Sequence, residues 1–310
     1  MNTLGATFSR RWALGTTLAA AATAGAAPAA SNNAGSANAV PPVGKPAAND
    51  AAAIWPAPGD RRQISNGVMH FASPEEHLES LMRVERTMDE KEVAWWFWFV
   101  WFLMVPGRSP IPLMRYEGME MSRHKQFPGH RFIVHGHNLS FPRDLVSGDY
   151  ISEIINPVTG AKVPAGTSVI TNDPGYEFTP QGVRPLTSDK RHTLDEFWRI
   201  EDGLLHMQRV RTPPPEWPGQ FIEQNTTTVS LTDFRRPRLL RLPSRSAGTW
   251  LQPAPRWLGF PPEMNALVLG HFDGRKLEDL QQFPREYLAR VQQEYPQLLA
   301  VDEAKFTKSP

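Results

Sequence analysis

From about residue 73 onward, apolar positions recur in short segments separated by turn residues, and three segments carry a helical period. Ser73 is placed to cap a helix, Pro74 takes its first position and Glu76 completes a capping box, while Leu78, Leu81 and Met82 form the buried stripe. A second helix is expected from Thr193, with Glu196 three residues on, Phe197 and Ile200 buried and Gly203 as the stop. A third begins near Pro284 and buries Tyr287, Leu288 and Val291, and a helical turn is expected over Lys276–Gln281. Elsewhere the signal is for strands, at 92–105, 113–123, 130–141, 166–172, 204–211, 220–232 and 264–272. These runs are short, rich in β-branched or aromatic residues, and bounded by Gly, Pro, Asn or Asp. Pro106-Gly107, Pro128-Gly129, Asn156-Pro157, Asp173-Pro174-Gly175 and Asp273-Gly274 read as turns.

No alternation of strand and helix of the doubly wound kind occurs, and GxGxxG, P-loop and GxSxG motifs are absent. The expected fold is mainly β (α+β), an antiparallel β-barrel or strongly curved sheet with a few short flanking helices.

The most apolar segment is Val93-Ala94-Trp95-Trp96-Phe97-Trp98-Phe99-Val100-Trp101-Phe102-Leu103-Met104. Side chains of a strand alternate between faces, and here both sets are apolar, so both faces are expected to be covered. Twelve residues are too few for a membrane helix. One face is expected to line an interior, and the other to pack under a helix or a partner subunit.

Composition adds exclusions. The chain of 310 residues has no cysteine, which removes disulfides, thiolate metal sites and cysteine nucleophiles. Thirty prolines argue against long helices, and a formal net charge of +1 gives no electrostatic footprint for nucleic acid. Ser9-Arg10-Arg11-Trp12 precedes a modest alanine-rich apolar run ending at Ala27-Pro28-Ala29-Ala30. That order reads as a twin-arginine export signal over 1–30 and implies a periplasmic protein. Residues 31–72 read as an Ala/Pro-rich disordered tether, 73–300 as one β-rich domain and 301–310 as a tail.

Several residue groups are candidates for chemistry. His135 and His137 share one strand face across Gly136 and are candidate acid–base groups, since imidazole titrates near neutrality. The same spacing chelates metals, but no third ligand is clear and no metal site is assigned. His206 and His271 fall in strands that reach the same interior, whereas His70, His77, His124, His130 and His192 read as loop or surface residues. Asn172 and Asp173 close a strand at a candidate barrel mouth, and Arg115 and Glu117 share a strand face where they are expected to pair.

Val105-Pro106-Gly107, Tyr116-Glu117-Gly118, Asn156-Pro157-Val158-Thr159-Gly160, Asn172-Asp173-Pro174, Asp273-Gly274-Arg275-Lys276 and Phe283-Pro284 occur in an order that resembles the DUF1838 family (domain of unknown function 1838), a group of often exported bacterial proteins. The resemblance covers roughly 75–300 and departs at Phe141-Pro142-Arg143-Asp144 and at Trp257-Leu258-Gly259-Phe260. It implies a domain boundary and names no reaction and no cofactor.

Together these residues point to an exported enzyme that acts on a hydrophobic or aromatic small molecule by acid–base chemistry of the lyase, isomerase or hydrolase type. Trp95, Trp98 and Trp101 would wall the cavity, with Asn172 and His206 beside them. His137 or His135 would move the proton, Asp173 or Glu117 would orient it, and Arg115 would hold an anionic group. The alternatives are a non-catalytic periplasmic binding protein for a similar ligand, and a structural or homo-oligomeric envelope protein whose exposed aromatic face meets a partner.

Overall fold

The computed structural model describes residues 64–65, 67–192, 194–211 and 222–307. The expected signal, most of the tether and Thr193 lie outside the described residues, while the end of the tether, from Ile64, holds two short strands and the buried Met69 and Phe71. Two short strands, β1 (Ile64–Ser65) and β2 (Val68–Met69), precede the helix α1 (Pro74–Glu85). The Ser73 side chain accepts from the Glu76 N–H at 3.2 Å and Glu76 accepts from the Ala72 N–H at 2.8 Å, so the capping expected there forms.

Strands β3 (Val93–Met104), β4 (Ile111–Phe127) and β5 (Arg131–Arg143) follow, then the small hairpin β6 (Glu153–Ile155) and β7 (Lys162–Pro164). Next come β8 (Ser168–Thr179), β9 (Gly182–Pro185), β10 (Phe197–Glu201), β11 (Leu204–Arg211), β12 (Ile222–Ser230) and the short helix α2 (Leu231–Phe234). The chain ends with β13 (Ser244–Pro253), β14 (Leu267–Leu277), α3 (Arg285–Glu294) and α4 (Ala304–Thr307). None of these helices is long and apolar enough to cross a membrane.

Twelve strands form one sheet in the order β1-β2-β10-β11-β12-β13-β14-β3-β4-β5-β8-β9, with neighbours antiparallel. The fold is therefore mainly β, built on a large antiparallel sheet, as the alternation predicts. Helix α1 packs against both β8 and β12, which stand far apart in that order. Leu78, Leu81 and Met82 of α1 share one core with Phe132 and Val134 of β5, Tyr176 and Phe178 of β8, and Leu205, Met207 and Val229 of β11 and β12. The sheet thus curls around α1. Among the described residues no strand pair joins its two ends, so it is curved without a closing seam.

Two further cores complete the layers. On the outer face, Ala94, Met119, Met121, Ile133, Leu139 and Phe141 are covered by Tyr287, Leu288 and Val291 of α3, by Leu298 and Val301, and by Phe306 of α4. The chain beyond residue 300 is therefore part of the packing. On the inner face, Phe99, Met114, Tyr116, Trp250 and Val268 pack with Ile154 and Val163 of the small hairpin and with Leu258. The inner face between α1 and this capped end is the concavity described below.

Three local expectations are corrected. Residues expected to form a helix after Thr193 instead form β10, which turns at Asp202-Gly203 and pairs with β11 from Phe197↔Gln208 to Glu201↔Leu204. Phe197 is 47% exposed and Trp198 is buried, a two-residue alternation that tertiary pairing selects over the helical pattern. Strand β8 does not stop at Asn172-Asp173-Pro174 but runs through to Thr179. The register against β5 shifts between Val134 and Gly136, and Gly175 at φ +104 absorbs the irregularity. Lys276 belongs to β14, and the short helical turn lies at Leu280–Gln282.

Candidate functional site

Cross-strand register shows what the concave face presents. Because paired residues in an antiparallel sheet share a face, the register defines rows of neighbours. One row runs Glu223, Trp250, Gly270, Trp101 across β12, β13, β14 and β3. The next runs Arg209, Asn225, Gly248, Phe272, Phe99, Tyr116. The third runs Thr227, Ser246, Gly274, Phe97, Gly118, Ser140. Nearest α1, Lys276, Trp95, Glu120 and Asn138 form a fourth.

The first two rows make an aromatic wall, and small residues dominate the third, which forms a floor. Glycines seat the rings: a Cβ added at Gly270 would stand 2.1 Å from the Trp250 ring, one at Gly248 2.8 Å from Phe272, and one at Gly118 2.9 Å from Phe97. Phe99 stacks on Tyr116 with centroids 5.0 Å apart, and Trp101 stacks on Trp257 at 6.1 Å. Phe97, Trp101 and Phe272 stay half-buried, so the wall is reachable from solvent.

The polar side of the concavity is a network of opposite charges. Arg86, at the C-terminal end of α1, pairs with Glu120 and donates to the Ser122 hydroxyl at 2.8 Å. Arg209 reaches Glu85 at 2.7 Å and Glu196 at 3.0 Å. Lys276 donates to the carbonyls of Arg83, Val84 and Arg86 at 3.0, 2.7 and 3.0 Å, which places its ammonium at the negative end of α1. Burial lowers the Lys276 pKa well below its ordinary value. Glu223 accepts from the Asn225 amide at 3.1 Å. Burial pushes the Glu223 carboxyl up to about 7, against the pull of Arg209 and that hydrogen bond, and Glu85 and Glu120 push it further upward. A carboxyl poised near neutrality beside a guanidinium and an aromatic wall can deliver or take a proton at ordinary pH. The Trp101 Nε1 and Asn225 Oδ1 atoms are buried on this wall without a hydrogen-bond partner, and Asn138 Oδ1 is buried likewise in the row nearest α1.

The residues expected from sequence divide between the two faces. Trp101 stands in the concave wall. Trp95 also faces inward, but its indole donates to the Glu85 carbonyl at 3.0 Å, so it holds α1 in place. Trp98 is on the outer face and 40% exposed. His206 is on the outer face as well, 3.1 Å from the Thr228 hydroxyl, away from the interior expected for it. His135 and His137 project outward beneath the C-terminal segment. The His137 Nε2–H donates to the Leu298 carbonyl at 2.6 Å, and His135 meets the Phe306 ring edge-on at 4.7 Å. Burial lowers the His137 pKa.

Glu117 pairs with Arg143 rather than with Arg115, and accepts from the Tyr150 hydroxyl; Arg143 continues to Glu286 of α3 at 2.9 Å. Arg115 shares that outer face, with its buried Nε lacking a hydrogen-bond partner. Asn172 lies opposite Gly136, and Asp173 follows it in β8. Contrary to the surface reading, His77, His124 and His192 are buried. Among the described residues no group of three or more histidines and carboxylates is arranged to hold a metal ion.

Sequence reasoning passed over Glu223, Asn225, Arg209, Arg86 and Glu120. A signal existed in the unbroken polar run Glu223-Gln224-Asn225-Thr226-Thr227-Thr228, which in a strand puts polar side chains on both faces, but a run without apolar residues ordinarily marks solvent-exposed chain. A separate open groove of about 510 Å³ lies on the outer rim between Lys91, Arg123, Arg241 and Glu278. Its arginines are committed already, Arg123 to Glu303 and Arg241 to the Glu278 and Glu92 carbonyls. Compared with family models, curated proteins and solved structures, the chain finds no match in any of the three.

Proposed function

We propose that this chain is an exported, periplasmic enzyme of the DUF1838 type that binds a hydrophobic or aromatic small molecule on the concave face of its curled, barrel-like sheet and acts on it by acid–base chemistry. The observation that carries this reading is Glu223. It pairs directly across from Trp250 in the register of the aromatic wall, and burial pushes its carboxyl up to about 7. On this reading Glu223, rather than His135 or His137, transfers the proton. Arg209 and Asn225 position the carboxyl, and Trp101, Trp250, Phe99 and Phe272 hold the apolar body of the substrate. Isomerisation or elimination suits a single carboxyl that alternates between acid and base.

The alternative, a binding protein without turnover, uses the same wall and differs at one residue. Native mass spectrometry of the protein isolated from its own host identifies the retained molecule. Conversion of that molecule is then followed with the wild type and with Glu223→Gln. The enzyme reading predicts retained binding and a loss of turnover of at least about 100-fold in Glu223→Gln. Binding without conversion by the wild type supports the binding protein, and equal conversion by both removes Glu223 from the chemistry.

A further inference from the structure

The concave wall also carries information about the shape and polarity of its ligand, and this inference rests on the reading of that wall as the binding site. Two of its polar atoms have unmet hydrogen-bonding capacity. Trp101 Nε1 is a donor and Asn225 Oδ1 an acceptor, both buried and without partners. Asn225 as a whole is only 8% exposed, and its amide nitrogen is turned to Glu223, which fixes the side chain along the inner face. An unmet buried polar atom is costly, and a ligand that satisfies it recovers that cost on binding.

The spacing of the two atoms' strands sets a length. Asn225 is on β12 and Trp101 on β3, with β13 and β14 between them. Three strand spacings of about 4.8 Å make roughly 14 Å along the sheet, and the chord of a curved sheet is shorter. Between the two positions lie Trp250, Phe272 and Phe99, with Gly248 and Gly270 making room for the Phe272 and Trp250 rings and Trp250 standing edge-on to Phe99 at 71°. No charged side chain from β13, β14 or β3 enters these two rows between Asn225 and Trp101. The middle of the ligand is therefore apolar.

We infer that the site takes an elongated molecule with an apolar body about 10–14 Å long, with a carbonyl-type acceptor toward the Trp101 indole N–H and a hydroxyl donor toward the Asn225 amide oxygen. Rod-like molecules with oxygen at one end only satisfy half of the wall. Small single-ring phenols do not span it.

The test uses the full chain and displacement of the fluorescent probe 1-aminoanthracene. Estrone, whose hydroxyl and ketone stand at opposite ends of a four-ring frame, is compared with its analogues lacking the hydroxyl or the ketone. In the wild type, each deletion is expected to weaken binding about tenfold. In Asn225→Leu the hydroxyl no longer matters, and in Trp101→Phe, which keeps an aromatic ring, the ketone no longer matters. Equal affinities of the three steroids for the wild type overturn the inference while leaving an apolar binding site standing. Failure of aminoanthracene and every steroid to bind overturns the site itself. Circular dichroism of both variants confirms that the fold is intact.

Discussion

Glu223 and His124 show how the same burial moves two side chains in opposite senses. For Glu223, burial raises the folded-state pKa above the ordinary carboxyl value, so its neutral form is favoured and its contribution to stability is lost as pH rises toward 7. For His124, burial lowers the folded-state pKa to about 4, and neither ring nitrogen has a hydrogen-bond partner. The unfolded chain then binds the extra proton first. Its contribution is complete above about pH 6.5 and falls by about 1.4 kcal/mol for each unit of acidification toward pH 4. Replacing His124 with Leu, which removes the titration and forfeits no hydrogen bond, is expected to flatten the acid limb of the stability curve between pH 6.5 and 4. Urea denaturation across that range measures it; an unchanged acid limb in His124→Leu contradicts the assignment. His124 reads from sequence as a loop or surface residue because the expected strand ends at residue 123, whereas β4 runs on to Phe127, and alternation alone does not reveal which face of β4 looks inward.

At the level of elements, sequence reasoning found what is local. The cap of α1, the buried stripe of α3 and the position of β3 follow from short-range pattern, and all three are present. Strand β13 carries a weak signal because, of its inward residues, Ser244, Ser246 and Gly248 are small and make room, and only Trp250 is a large apolar side chain. Strand β10 was mistaken for a helix because Phe197 and Ile200 fit a helical spacing, and only pairing with β11 decides between the two. The histidines illustrate the same limit. Their sharing of one strand face was legible, but which layer lies over that face was not, because the covering residues Leu298 and Phe306 come from more than 150 residues away. The structure makes His137 a tether for the C-terminal segment. His137→Ala is expected to lower stability by about 1 kcal/mol through the lost hydrogen bond and to leave 1-aminoanthracene affinity unchanged. A large loss of probe affinity at unchanged stability would return His137 to the site.

For the molecule as a whole, the central feature is a sheet curled around α1, with its two faces given different work. The outer face is sealed along β3 to β5 by α3, α4 and the chain between them, and held there by the Glu117–Arg143–Glu286 pairs. The inner face keeps a floor of Thr227, Ser246 and Gly274 between an aromatic wall and a charged rim. Antiparallel β-structure was readable from the alternation, whereas the curl was not. It arises from contacts between strands distant in the chain, and the apolar stripe of α1, which shares one core with residues of β5, β8, β11 and β12, draws them together. The most direct test is therefore to fill the floor. Titration of 1-aminoanthracene into the wild type is expected to show saturable, one-site binding, and Ser246→Phe, with Thr227→Phe as a second filling variant, is expected to weaken it at least about tenfold with the sheet signature in circular dichroism unchanged. Equal binding by the wild type and by folded filling variants would contradict the account, because the ligand would then sit somewhere other than the concave face.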